Sequence, residues 1–199
     1  APGLVDRARR LLGREDVVTL NAEAMLGVKL LMQNRNEEAS QVLKSVVERF
    51  EASALSKTLD HFVAMNLLLT SYRSRGMREY ALRISEKAVA MCGPGSTLDV
   101  REQMSARHVH AQLLGRERRF AEAEKWERQV YDEAVKTLAP DDPDIGAYAS
   151  SLGLLIASAS NSDSFSSLRG AAGDAAAPAG EVSAKVRSTG DGFAATLAG

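Results

Sequence analysis

Phe120-Ala-Glu-Ala-Glu-Lys-Trp-Glu-Arg-Gln-Val-Tyr131, followed six residues later by Leu138-Ala-Pro-Asp-Asp-Pro-Asp-Ile145, decides how the rest of the chain is read. Its first half places Ala123, Trp126 and Val130 on one helical stripe, because residues three, four and seven apart share a helix face. Its second half is a stop and a start. Pro140 and Asp141 break the helix, Asp142 is placed to cap a new one, and Pro143 fits the first helical position.

Moving outward in steps of 42 residues, the pattern returns. Ala123 is preceded by Ala81 and Ala39. Twelve residues before those alanines stand Ala111, Leu69 and Gly27, with Gly153 one step beyond. Leu26, Leu68, His110 and Leu152 form a second series, and Leu30, Tyr72, Leu114 and Ile156 a third. Val46, Ala88 and Val130 continue the stripe seven residues after each alanine. A period of this length with two apolar stripes describes a helical hairpin. One hairpin cannot bury its stripes alone, so several must stack into a solenoid.

The spacing predicts first helices (A) over 17–34, 59–75, 99–117 and 143–158, and second helices (B) over 37–51, 78–92 and 120–138. The units run 17–58, 59–100 and 101–142, with 143–158 as a capping helix. Residues 1–16 fit the second helix of a preceding unit, since Leu4 and Val5 fall 42 before Val46 and Val47. Glycine and proline cluster beyond residue 158, where the chain becomes rich in Ser, Ala and Gly. Such a composition offers little to bury against the entropy of ordering, so 159–199 is predicted to be disordered or held by a partner. Serines at 160, 162, 164, 166 and 167 surround Asp163, a pattern a kinase can use and a linker can share.

With 199 residues and 45% hydrophobic content, the chain is long enough for a sizeable core. Its 25 basic and 26 acidic residues leave a net charge of −1. That balance offers no global field for nucleic acid or an anionic membrane, and no apolar run reaches the length of a membrane span. The single cysteine, Cys92, forbids an internal disulfide. The expected location is cytoplasmic, with an organelle matrix after removal of a presequence left open.

The quoted stretch resembles the kinesin-light-chain type of tetratricopeptide (TPR) repeat, with Ala139 and Asp142 where that type carries glycine and histidine. The other units match only its alternation of small and large residues, and the resemblance covers about 17–158. It implies an all-α, TPR-like α-solenoid of stacked antiparallel helix pairs, working as a protein–protein interaction scaffold or adaptor rather than an enzyme. The alternative is an architectural subunit or fragment of a larger enzyme or RNA-processing assembly. By the same resemblance, the first helices line a concave groove, with Asn66, Thr70, Arg73, His108, Gln112, Arg116 and Ser150 as the partner-binding residues. In the first unit Ala24, Val28 and Leu31 make the groove apolar. The row of amide, hydroxyl and imidazole groups suits an extended peptide or partner helix. The arginines suit an acidic or phosphorylated segment. No cofactor, metal or catalytic residue is expected.

Other constellations have structural readings. His108 and His110 point about 200° apart on a helix and cannot chelate together. His110 stands in a leucine slot, and Cys92 is a small apolar filler near a helix end. Glu37-Glu38 and Asp141-Asp142-Asp144 sit where acids offset a helix dipole. Arg116, Arg118, Arg119, Lys125 and Arg128, interleaved with Glu117, Glu122, Glu124 and Glu127, read as a salt-bridged solvated face. Trp126 aligns with Val42 and Ile84 and reads as core. Leu152, Leu154, Leu155 and Ile156 give the capping helix more apolar surface than a terminal helix leaves in water. Coverage by the tail, by a partner or by self-association through that helix is expected.

Overall fold

The computed structural model describes the backbone of residues 2–174 and the side chains of residues 3–161. Among the described residues eight helices follow one another: α1 (Pro2–Leu12), α2 (Val17–Met32), α3 (Asn36–Ala52), α4 (Leu59–Ser74), α5 (Arg78–Val89), α6 (Val100–Arg116), α7 (Phe120–Thr137) and α8 (Pro143–Asp174). There is no strand among the described residues. The first compact unit spans Ala1–Ile156, and a second begins at Ala157.

From α1 to α7 each helix packs against its chain neighbour, as a stack of hairpins requires, α2 also touches α4, and Tyr148 of α8 packs with Val130 and Ala134 of α7. The alanine series is the seam. Ala39, Ala81 and Ala123 are each fully excluded from solvent. A methyl group at these places lets the second helix approach the first at close range. Gly27 shows the limit: a Cβ there would sit 2.6 Å from Leu43. Ala111 and Leu69 hold the equivalent places in the next units and are buried, whereas Gly153 has nothing within 4 Å of where its Cβ would be.

The turns inside the units repeat as strictly as the core. Asn34, Gly76 and Arg118 each adopt positive φ, at 57°, 68° and 61°. The next residue in each case, Arg35, Met77 or Arg119, donates its backbone N–H to Leu30, Tyr72 or Leu114. A left-handed residue followed by this long backward bond is a Schellman stop, which satisfies carbonyls the helix end would otherwise leave free. The second helix starts at once from that turn, so Arg35, Met77 and Arg119 cap α3, α5 and α7 without a side-chain hydrogen bond. First helices are capped differently. Asp16 accepts from Val18, Thr58 from His61 and Asp142 from Asp144, while Asp99 and Glu102 form a reciprocal capping box.

Two helix ends differ from the sequence reading by more than two residues. The helix α5 stops at Val89, short of the expected 92, because Met91 and Cys92 already bond three residues back as the chain tightens towards Gly93 (φ 122°). The final helix continues to Asp174, past the expected 158. Alanine and serine fill much of 157–169 without a glycine or proline to break the helix, so propensity carries it on. Residues 159–174 are therefore helical, and the rest of the expected disordered tail, 175–199, lies outside the described residues.

Each hairpin also carries one matched pair at residues 26 apart. Buried Glu23 of α2 meets Arg49 of α3 and accepts from Arg9 Nε of α1 at 2.8 Å. One unit later the places are Met65 and Met91, both buried in the main core. One unit further they are Arg107 and Glu133, an ion pair of reversed polarity. Arg49 also donates to the Arg14 carbonyl at 3.0 Å, so the first cluster ties α1, α2 and α3 together.

Arg118 bears the left-handed conformation without glycine's freedom, a cost of about 1–2 kcal/mol for an L-residue. Arg118→Gly is expected to raise the thermal midpoint, by an increment of about 1 kcal/mol, while Leu68→Ala, at a site 1% exposed, lowers stability by about 2–5 kcal/mol. Chemical denaturation of the two variants checks both directions.

Candidate functional site

The first helices α4, α6 and α8 carry the seven residues singled out by the register. The structure divides them into groups. Asn66 is half-buried, and its carboxamide has no hydrogen-bond partner among the described residues. Thr70 is exposed and donates its hydroxyl to the Asn66 carbonyl at 2.9 Å. Ser150 is likewise exposed and donates to the Gly146 carbonyl at 2.8 Å. Both hydroxyl protons are thus spent on their own helices, leaving only acceptor capacity outward.

His108 and Gln112 belong to an internal network. His108 Nδ1 donates to the Glu127 carboxylate, at 2.7 and 3.0 Å to its two oxygens. Gln112 Nε2 then donates to His108 Nε2 at 2.9 Å, which fits the tautomer with hydrogen on Nδ1. The ring edge rests on Tyr148, with centroids 5.1 Å apart. Glu127 is fully buried. This corrects its assignment to a solvated charged face, since a carboxylate in that position needs an internal donor and His108 supplies it. The clue was in the register: Glu127 falls 42 and 84 after Ser85 and Leu43, which are also buried. The other acids of that stretch do pair on the surface, Glu122 with Arg119, Glu124 with Arg128 and Glu117 with Arg78.

Arg73 and Arg116 come together. They line one pocket of about 400 Å³ with Gly76, Arg78, Ala81, Leu113 and Glu117. Neither arginine has an ion-pair partner among the described residues. Arg73 is exposed, yet the protein atoms crowding its guanidinium partly desolvate it, and the like charge of Arg116 adds to that, so its pKa lies below the ordinary value. Arg78 and Glu117 face each other at 4.0 Å across the mouth. Each of the two arginines ends a first helix, where a cation also meets the negative end of the helix dipole. Leu113 and Ala81 supply a buried apolar wall.

The remaining candidates have structural neighbours or stand on the surface. His110 is buried, donates from Nδ1 to Ser85 Oγ at 2.9 Å and meets Trp126 edge-on at 5.6 Å. The two histidines of His108-Val109-His110 thus serve different neighbours. Trp126 is half-buried against the same cluster as Leu114 and Leu155. Burial pushes the Cys92 thiol pKa up, and its sulfur lies 3.6 Å from the Ala88 carbonyl. Asp142 and Asp144 both bind Arg101, which joins the start of α6 to the start of α8. That guanidinium, with the backbone N–H of Asp144, holds the Asp142 carboxyl below its usual range. On α2, Val18, Met25 and Met32 are exposed and seven residues apart, adding to the apolar surface expected from Val28 and Leu31.

The stacked hairpins, the left-handed stop within each and the 42-residue register define an α-solenoid of the TPR type. Solved structures agree. A kinesin-light-chain-type protein with nearly identical TPR-like repeats from Podosopora anserina superimposes with a TM-score of 0.70 at 20% identity, covering 84% of this chain and 79% of that one. A single-residue variant of the same protein gives 0.71 with the same identity and coverage. No family model and no curated protein sequence matches the chain. Among the described residues no helix is long and apolar enough to cross a membrane.

Burial lowers the pKa of both His110 and His61 below the ordinary 6.5. His61 accepts from the Lys57 backbone N–H, which leaves its protonated Nε2 buried without a partner. As pH falls, the unfolded chain takes up these protons first. The stability is therefore fully present above about pH 6.5 and is lost as pH drops from there towards the lower folded-state values. His110→Leu, which restores the residue of the equivalent slots at 26, 68 and 152, is expected to flatten part of that acid-side decline. Denaturation series at pH 7.5 and 5.5 for both proteins measure it.

Proposed function

We propose that the chain is a non-catalytic interaction scaffold that holds an extended segment of a partner protein along its first helices. One observation carries this reading. Two arginines from successive first helices, neither of them paired within the described structure, converge on one pocket. Keeping like charges together has a cost that a bound acidic group would offset. Asn66 supplies an unengaged amide on the adjoining helix surface, able both to donate to and to accept from a peptide backbone. His108 and Gln112 enter this reading as a rigid floor, since His108 already serves Glu127 and Gln112 Nε2 already serves His108. Thr70 and Ser150 contribute acceptors.

A second reading, an architectural piece of a larger assembly, is favoured by α1. Leu4 is 65% exposed, yet its equivalents Val46, Ala88 and Val130 are fully or almost fully buried, each under its own first helix. The same slot over α1 is open among the described residues, and Met25 on the neighbouring α2 is 64% exposed. A further helix, from this chain or another, fits that place. Self-association through α8 belongs to the same reading.

Reversing the pocket with Arg73→Glu and Arg116→Glu is expected to weaken binding of acidic peptides at least about tenfold at low salt, and less at high salt, because screening removes the difference. Neither residue is buried, so the thermal midpoint stays close to that of the parent. Fluorescence anisotropy against a panel of acidic peptides reads the first effect. If the reversed variant keeps full affinity while Leu4→Asp changes the sedimentation mass, the architectural reading takes precedence.

A further inference from the structure

We infer that the Arg73–Arg116 pocket is a receptor for a phosphorylated side chain, a phosphomonoester dianion carried on the bound segment, rather than for a glutamate or aspartate. The inference rests on the reading of the chain as a scaffold for an extended segment and specifies which anion that segment presents.

Charge balance points this way first. The pocket collects three guanidinium groups, Arg73, Arg78 and Arg116, against one carboxylate, Glu117. The surplus is two positive charges. A carboxylate neutralises one of them, whereas a phosphoryl group carries about −1.5 to −2 at neutral pH. Arg78 and Glu117 are 4.0 Å apart, so they form a loose pair that leaves Arg78 free to swing inwards.

Geometry points the same way. Arg73 and Arg116 stand on different helices, α4 and α6, so a ligand bridging them must offer acceptors in more than one direction. A planar carboxylate suits a single guanidinium fork. A tetrahedral phosphoryl group offers three oxygens to several forks at once. The volume of about 400 Å³ exceeds what a carboxylate needs and leaves room for the phosphoryl group and the carbons that carry it. Ala81 and Leu113, both buried, form the wall against which those carbons would rest.

The turn at the pocket rim adds a constraint on its shape. Gly76, with φ at 68°, lines the pocket, and a Cβ added there would meet nothing within 4 Å. The equivalent turn residues are Asn34 and Arg118. Their first-helix positions matching Arg73 and Arg116 differ as well. Leu31 stands 42 before Arg73, Met32 stands 84 before Arg116, and Ser74 stands 42 before it. Among the described residues no other pair of successive first helices brings two arginines to one turn, so within them the pocket belongs to the junction between the second and third units.

The test uses the full chain and three fluorescein-labelled peptides of seven residues, alanine and glycine throughout except for a central phosphoserine, glutamate or serine. Anisotropy is expected to show the phosphoserine peptide binding at least about tenfold more tightly than the glutamate peptide, with the serine peptide weakest. Arg73→Gln and Arg116→Gln are each expected to weaken phosphoserine binding by about tenfold, the loss of one charged contact. Both variants should keep the parent's thermal midpoint, which separates a lost contact from a lost fold. Inorganic phosphate is expected to compete only at concentrations well above the peptide's. Equal affinity for the phosphoserine and glutamate peptides would overturn the phosphate inference and leave the acidic-segment reading standing. Phosphate competing as strongly as the peptide would make this a free-phosphate site and overturn it too. Binding of neither charged peptide, or binding indifferent to both arginine variants, would overturn the inference and the scaffold reading together.

Discussion

The contact at Ala39, Ala81 and Ala123 is the constraint on which the rest of the molecule depends. A second helix has to lie close against the first helices flanking it, and only a methyl group leaves the room. Once that approach is fixed, the neighbouring large side chains have defined cavities to fill. Leu43, Val46 and Phe50 in α3, and Met65 and Leu68 in α4, are excluded from solvent because the helices are near enough to close over them. The left-handed stops at Asn34, Gly76 and Arg118 serve the same end. They reverse the chain within a couple of residues, so that the second helix starts while it is still beside the first.

Variation within this frame is as informative as repetition. The pair 26 residues apart is an ion pair in the first hairpin, two methionines in the second and an ion pair of opposite sense in the third. A position that tolerates Glu, Met or Arg is not set by hydrophobicity alone, because its partner changes with it. A hairpin slipped by one unit would place Glu23 opposite Met91, or Met65 opposite Glu133, leaving a carboxylate without its guanidinium. A buried charge lacking a partner is strongly disfavoured, so the Glu23–Arg49 pair favours its own register. The His108–Glu127 contact acts in the same way between α6 and α7.

The surface left over has two kinds of chemistry. The polar groups of α6 are largely turned to structural use, since Glu127 draws in His108 and through it Gln112. Arg73 and Arg116 have no such internal acid, and they are the ones that share a pocket. Whether a polar residue of a first helix is spent on the fold or left available therefore rests on whether a buried counter-charge lies behind it.

What the sequence by itself determined was periodic: the fold class, the alternation of first and second helices, the small-residue seam and the leucine slot that His110 occupies. Each is a property of residues 42 apart or of a helical stripe, and such spacings survive without coordinates because equivalent places in a stack have equivalent neighbours. The approach of Arg73 and Arg116 was legible to the same extent, as two arginines near the ends of successive first helices. Three things were decided only by the tertiary structure. The burial of Glu127 beneath His108 joins two residues nineteen apart, on α6 and α7, through side-chain geometry. The ion pairing of Glu23 with both Arg9 and Arg49 depends on three helices meeting at one point. The continuation of α8 to Asp174 set helix propensity against a composition that reads as a linker, and no spacing in the sequence weighs those two. The physical reason is common to the first two. Periodicity reports which face a residue occupies, while the partner it finds there depends on the distance and angle between helices, which only packing sets.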